Sequence, residues 1–307
     1  MRVLPGVLCV LVLLAGCGGQ EPGSTQLTKG SFRLGCDEAV LPVVQSEADE
    51  FHRLYNDAQV VIASGEARDI IALFAADSVR TIVTARAFNA EERKALADAK
   101  VSFQEYPFAR TAVAVISHRD APLTQMRVGE LDTMFSGART RWPGKGARMI
   151  ELAVSGVNAS ATEIFRTIVL KSGGYDRSAK VFSSSSELID YVSKKPGALG
   201  IVALNWLKGH EEGVHVLALS SPAMRPDSTY APGEFYSPAQ AYIYLGYYPL
   251  TAPVTVCTRE IERNVSVGFI SFVTSLAGQK VVQNGGLVPV TMPVRLVHLT
   301  SQQVQSE

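Results

Sequence analysis

Apolar positions along the chain fall into two alternating periods. Short runs such as Phe32–Gly35, Gln59–Ser64 and Arg80–Thr84 are β-branched or aromatic and read as strands. Between them, Val40, Val43, Val44, Phe51, Leu54 and Tyr55 recur at helical spacing, as do Ile70, Ile71, Leu73 and Phe74. Asn89 and Glu92 form a capping box for a helix running through Lys100. Val101–Tyr106 and Arg110–Ser117 add two strands. Leu131, Met134 and Phe135 then mark a helix ending before Gly137, a C-cap glycine. Met149–Val154 reads as a strand that runs into Ser155–Phe165. There Ser160 and Glu163 stand three apart before Ile164, Phe165, Ile168 and Val169, a second capping box. Ser184 and Glu187 open a helix carrying Leu188, Ile189 and Val192, stopped by Pro196-Gly197. Gly200–Leu204 and Ala252–Cys257 are strands, Tyr230–Tyr248 reads as irregular, and Asn264–Leu276 as one long helix. This alternation of strand and helix predicts parallel sheets covered by helices. No internal repeat and no shift of composition cuts the chain into consecutive domains.

Composition narrows the picture. An apolar fraction of 47% over 307 residues supports a real core. A formal net charge of +0 without a basic run argues against a nucleic-acid partner. The N-terminus says more. Met1-Arg2 is followed by the almost wholly apolar stretch Val3–Leu14, too short to span a bilayer comfortably and suited to a signal-peptide core. Leu14-Ala15-Gly16-Cys17 resembles a bacterial lipobox, which implies lipid on Cys17 and an extracytoplasmic protein anchored to the envelope membrane. Residues 1–16 are then the signal peptide and 17–30 a flexible tether. Cys36 and Cys257 remain in an oxidising compartment, either as a disulfide or as two separate buried thiols.

Several stretches resemble the substrate-binding lipoproteins of bacterial phosphate ABC transporters. Gly129–Trp142, "GELDTMFSGARTRW", is similar to that family's "IFSGKITNW" segment, and Ser160–Phe165, "SATEIF", to its ligand loop. Lys194–Leu204, "KKPGALGIVAL", Tyr247–Val256, "YYPLTAPVTV", and Phe269–Val290 resemble later blocks, in the same order and spacing. The resemblance implies a two-lobed α/β fold of the type II periplasmic-binding-protein kind, with two doubly wound mixed sheets joined by a two-strand hinge. Lobe 1 would comprise residues 31–112 and 252–297, lobe 2 residues 113–251, and 298–307 a tail. Phosphate or another small oxyanion would lie between the lobes, with ABC permease subunits as partners and no cofactor.

Carried over residue by residue, the resemblance implies a ligand site of Ser160, Ala161 and Thr162 at a helix start, Ser64 and Gly65 in a second loop, and Cys36 and Asp37 in a first loop. A helix N-terminus with hydroxyls suits an anion. The family's arginine falls on Gly156, and its aspartate falls near Arg80, so Arg80 is expected to supply the positive charge. Each residue also has a plainer reading: Ser160 as an N-cap, Arg80 as a solvated strand-start residue, Asp37 and Glu38 as partners of a helix dipole. Arg68 and Arg86 are nearby candidates for the same role, though each is a residue more often found at the surface than at a ligand. The leading expectation is a lipid-anchored importer subunit. The alternative is a module of the same fold with an altered site, acting as sensor or scaffold. The five histidines show no metal spacing, and neither GxSxG, HExxH nor a P-loop is present, so no enzyme is expected.

Overall fold

The computed structural model describes residues 26–291, apart from 145–146, 172, 211 and 221–232. The signal peptide, Cys17, most of the tether and the 298–307 tail lie outside the described residues. The first part of the chain runs β1 (Gly30–Asp37), α1 (Leu41–Leu54), β2 (Ala58–Gly65), α2 (Ala67–Ala75), β3 (Thr81–Thr84) and α3 (Ala90–Asp98). The long strand β4 (Gln104–His118) leads to β5 (Gln125–Arg127), α4 (Val128–Phe135), β6 (Glu151–Ser155), α5 (Ser160–Ile168), β7 (Lys180–Phe182), α6 (Ser185–Lys194) and β8 (Ala198–Ala203). Then come β9 (Val214–Val216), β10 (Ala218–Ser220), α7 (Gln240–Tyr244), β11 (Thr251–Thr258), α8 (Val265–Val273), α9 (Leu276–Asn284) and β12 (Val288–Pro289).

The chain forms two α/β lobes with mixed sheets. In lobe 1 the order is β2-β1-β3-β11-β4, with β1 parallel to both β2 and β3. In lobe 2 it is β4-β8-β6-β7, with β6 parallel to β8 and β7. β4 belongs to both: Gln104–Ala112 pairs with β11, and Val113–Ser117 pairs with β8. The two strands expected between 101 and 117 are therefore one. Pro107, which cannot donate to the ladder, sits at a bulge, where β4 advances from Pro107 to Ala109 while β11 moves only one residue. The carbonyl of Phe108, skipped by the ladder, accepts from Gln279 Nε2 at 3.0 Å and from the Val290 amide at 3.2 Å.

Each lobe has its own apolar core. Leu34, Phe51, Val83, Phe108, Phe269 and Val282 pack in lobe 1, and Val115, Phe135, Phe165, Leu199 and Tyr248 in lobe 2. Cys36 and Cys257 are free and buried, on strands separated by β3, so the two-thiol reading describes them. The long helix expected over Asn264–Leu276 is α8, which ends at Val273, and α9 follows at 64° to it, capped by Ser275 at the Gly278 amide. α7 gives order to part of the stretch expected to be irregular. Among the described residues no single helix is long and apolar enough to cross a membrane.

Parallel pairing fixes where the loops meet. β1, β2 and β3 run the same way, with Asp37 level with Gly65 and Cys36 level with Val83, so all three end at one edge. β6, β7 and β8 likewise end together in lobe 2. Loops beyond strand C-termini are where open α/β sheets hold ligands, and the hydrogen bonds described next show that these two edges face each other.

Candidate functional site

The centre of the crevice is Asp37, the last residue of β1 and only 1% exposed. Its Oδ1 accepts from the Ala39 amide at 3.1 Å, and its Oδ2 from the Ala85 amide at 2.9 Å. Oδ2 also accepts from Ser160 Oγ, across the crevice in lobe 2, at 2.5 Å. Burial pushes the Asp37 carboxyl above its ordinary pKa, and these three donors with the nearby Arg86 charge work in the opposite direction.

Two further carboxylates of lobe 1 reach lobe 2. Glu38 accepts from the Ser185 amide and the Ser185 hydroxyl, both at 2.9 Å, at the start of α6. The carbonyl of Glu38 accepts from Trp206 Nε1 at 2.9 Å. Glu66, just before α2, accepts from the Asn158 amide at 3.2 Å, and its carboxylate lies against Gly156. Burial raises both glutamates above their ordinary pKa. Asn158 returns two contacts: its carbonyl accepts from the Arg68 amide and its Nδ2 donates to Asp69, each at 3.2 Å. Negative charge at helix starts is favourable, and here the other lobe supplies it.

Arg86 provides the cation. It lies two residues beyond β3 and is 5% exposed. Its guanidinium meets Glu92 of α3 at 2.6 Å and Glu163 of α5 at 2.8 Å, so it bridges the lobes. Asn89 Nδ2 adds a bond to Glu163 at 2.9 Å. Burial would raise the Glu92 carboxyl, but Arg86 and the Asn89 amide hold it below its ordinary value. Arg86 Nε is buried and has no hydrogen-bond partner.

The residues singled out in the sequence are distributed as follows. Ser160 stands at the crevice, but as the first residue of α5 and not its N-cap: position N-cap is Ala159, without a side-chain cap. The Ser160–Glu163 capping box is therefore absent, because both side chains are used across the crevice. The Asn89–Glu92 box and the Ser184 cap are present. Thr162 Oγ1 is turned to the Ser155 carbonyl at 3.0 Å, and Ala161 packs in the lobe 2 core. Ser64, exposed, and Gly65 end β2 beside Cys36 and Asp37. The Cys36 thiol lies in the lobe 1 core and donates to the Asp37 carbonyl at 3.4 Å. Arg80 is elsewhere. It precedes β3, at the opposite end of the strand from Ala85, and pairs with Asp77 at 3.0 Å and Glu260 at 2.9 Å. The crevice residues without a signal in the sequence are Glu66 and Glu163. Glu38 adjoins Asp37 in the first loop, and Arg86, a nearby candidate, follows β3 at the end where ligand loops emerge.

Comparison with known proteins agrees with this architecture. Residues 21–276 match the model of the PBP superfamily domain. The phosphate-binding protein PstS of Staphylococcus epidermidis is 22% identical over 285 residues, covering 89% of this chain and 84% of that protein. A structure described as a phosphate ABC transporter substrate-binding protein with bound phosphate, from Clostridium perfringens, superposes with a TM-score of 0.70 at 18% identity, covering 85% of this chain and 100% of that one. An ABC-type phosphate transport receptor from Vibrio cholerae gives 0.63 at 15% identity, covering 85% and 100%. With its two lobes, its shared strand β4 and a family match over most of its length, the chain belongs to the PBP superfamily.

Proposed function

We propose that this chain is the extracytoplasmic solute-binding subunit of an ABC importer, anchored by lipid on Cys17, and that it takes phosphate or a related small oxyanion between its lobes. The observation that carries the reading is the convergence of Ser160 Oγ, from lobe 2, with the Ala39 and Ala85 amides, from lobe 1, on the single carboxylate of Asp37. Donors from both lobes aimed at one oxygen-bearing group are what a desolvated oxyanion requires. Arg86, whose guanidinium is shared with Glu92 and Glu163, adds an unpartnered Nε and takes the role expected of Arg80. Relatives that bind phosphate by name support the ligand class. The ligand residues on this reading are Ser160, Ala161 and Thr162 at the start of α5, Ser64 and Gly65 at the end of β2, and Asp37. Residues 31–112 with 252–297 form the first lobe, and 113–251 the second. Permease subunits are the partners, and binding, not catalysis, is the activity.

Isothermal titration of the mature chain with phosphate, arsenate and sulfate at fixed salt tests this. Saturable binding of at least one oxyanion, weakened in Arg86→Lys, is expected. A second reading has its own support: Glu38 and Glu66 already sit on the donors of lobe 2, as in a module that closes on itself and serves as a sensor or scaffold. Wild type that binds no oxyanion would assign that role instead.

A further inference from the structure

We infer that Glu66 sets the anion affinity of the interlobe crevice by acting as its built-in carboxylate ligand, so that a dissolved oxyanion enters only in exchange for it. The inference rests on the crevice being the solute site. Glu66 belongs to lobe 1, yet its carboxylate is held by the Asn158 amide and lies against Gly156 in the loop that opens α5. That loop is where the chain's own positive helix end and free amides are available to an anion.

Gly156 is shaped for this contact. A Cβ at position 156 would lie 1.8 Å from Glu66 Oε1 and 2.6 Å from its carboxyl carbon. Any side chain there would displace the carboxylate. Gly156 and Glu66 are thus one arrangement: the space that a side chain at 156 would take is filled by an anion belonging to the opposite lobe. Asp37 on Ser160 and Glu38 on Ser185 repeat the pattern beside it. An incoming dianion meets donors already satisfied and three carboxylates of its own sign. Removing one of them both frees donors and lowers the repulsion. Glu66 is the one to remove first, because it is only half-buried where Asp37 is fully buried, and it is held by one amide where Glu38 is held by an amide and a hydroxyl.

The test is calorimetric titration of full-length mature wild type, Glu66→Ala and Glu66→Gln with inorganic phosphate and with formate. Formate is small enough to take the space of the missing carboxylate. Melting curves establish that each variant is folded, and Glu66→Gln keeps the shape if the alanine variant does not fold. The expected result is at least tenfold tighter binding of phosphate or formate by Glu66→Ala than by wild type, with Glu66→Gln between them. Wild type that binds no oxyanion while Glu66→Ala binds formate would sink the import reading and leave this inference standing. Tight phosphate binding by wild type, equal or weaker in both variants, would overturn the inference and leave the import reading intact. No binding by any of the three would overturn both.

Discussion

Ser160 and Asp37 are 123 residues apart in sequence, and the hydroxyl of the first donates to Oδ2 of the second at 2.5 Å. This bond joins the two lobes at their centre, where both side chains are buried. A hydrogen bond to a buried charged group contributes about 1.5–3 kcal/mol. Ser160→Ala is expected to lower stability by about that amount, read as a reduced midpoint in urea with an unchanged slope. An unaltered midpoint would mean that the two lobes do not depend on this contact.

Arg86 stands between Glu92 and Glu163, with all three side chains less than a tenth exposed. Removing one member of a buried charge set leaves the others uncompensated, at about 3–5 kcal/mol. Arg86→Met should lose stability in that range. Arg86→Lys should recover only part, because a point charge cannot reproduce the fork that spans Glu92. A methionine variant within 1 kcal/mol of wild type would remove the ion set from the account of lobe closure.

Arg80 belongs to an outer cluster with Asp77 and Glu260 and is about half exposed. Exposed ion pairs contribute about 0–1 kcal/mol. Arg80→Ala should leave any oxyanion affinity unchanged and stability almost unaltered. A tenfold loss of affinity would return Arg80 to the binding site.

Glu47 lies on α1 with no exposed surface, neither oxygen has a partner, and burial pushes its carboxyl from 4.5 to about 9. The folded chain therefore keeps a proton that the unfolded chain releases. Stability from this group is complete below the unfolded value and is lost as pH rises towards the folded one. Glu47→Gln should be close to wild type at pH 4 and more stable by roughly 5 kcal/mol at pH 8. Urea titrations at both pH values read the difference. Parallel pH curves for the two proteins would show that Glu47 titrates alike in folded and unfolded states.

The lipid anchor rests on Leu14-Ala15-Gly16-Cys17 after an apolar core. Metabolic labelling with a fatty acid should mark wild type and spare Cys17→Ala. Equal labelling of the two would refute the anchor.

The alternation of strands and helices, the ends capped by Asn89 and Ser184, and the family were all legible in the order of residues. Those are set by local patterns: apolar period, side chains that bond their own backbone, and blocks of residues in a constant order. What the tertiary structure alone decided is where polar side chains point once two lobes face each other. Ser160 and Glu163 have the spacing of a capping box, yet Asp37 and Arg86 on the other lobe offer charged partners, and a buried bond to a charge outweighs a local cap. Arg80 and Arg86 both flank the same four-residue strand, and only the parallel register of β1, β2 and β3 puts one at the outer edge and the other in the crevice. The meeting of Glu66 with Gly156 has no trace in the order of residues, because it depends on two loops brought together from opposite lobes.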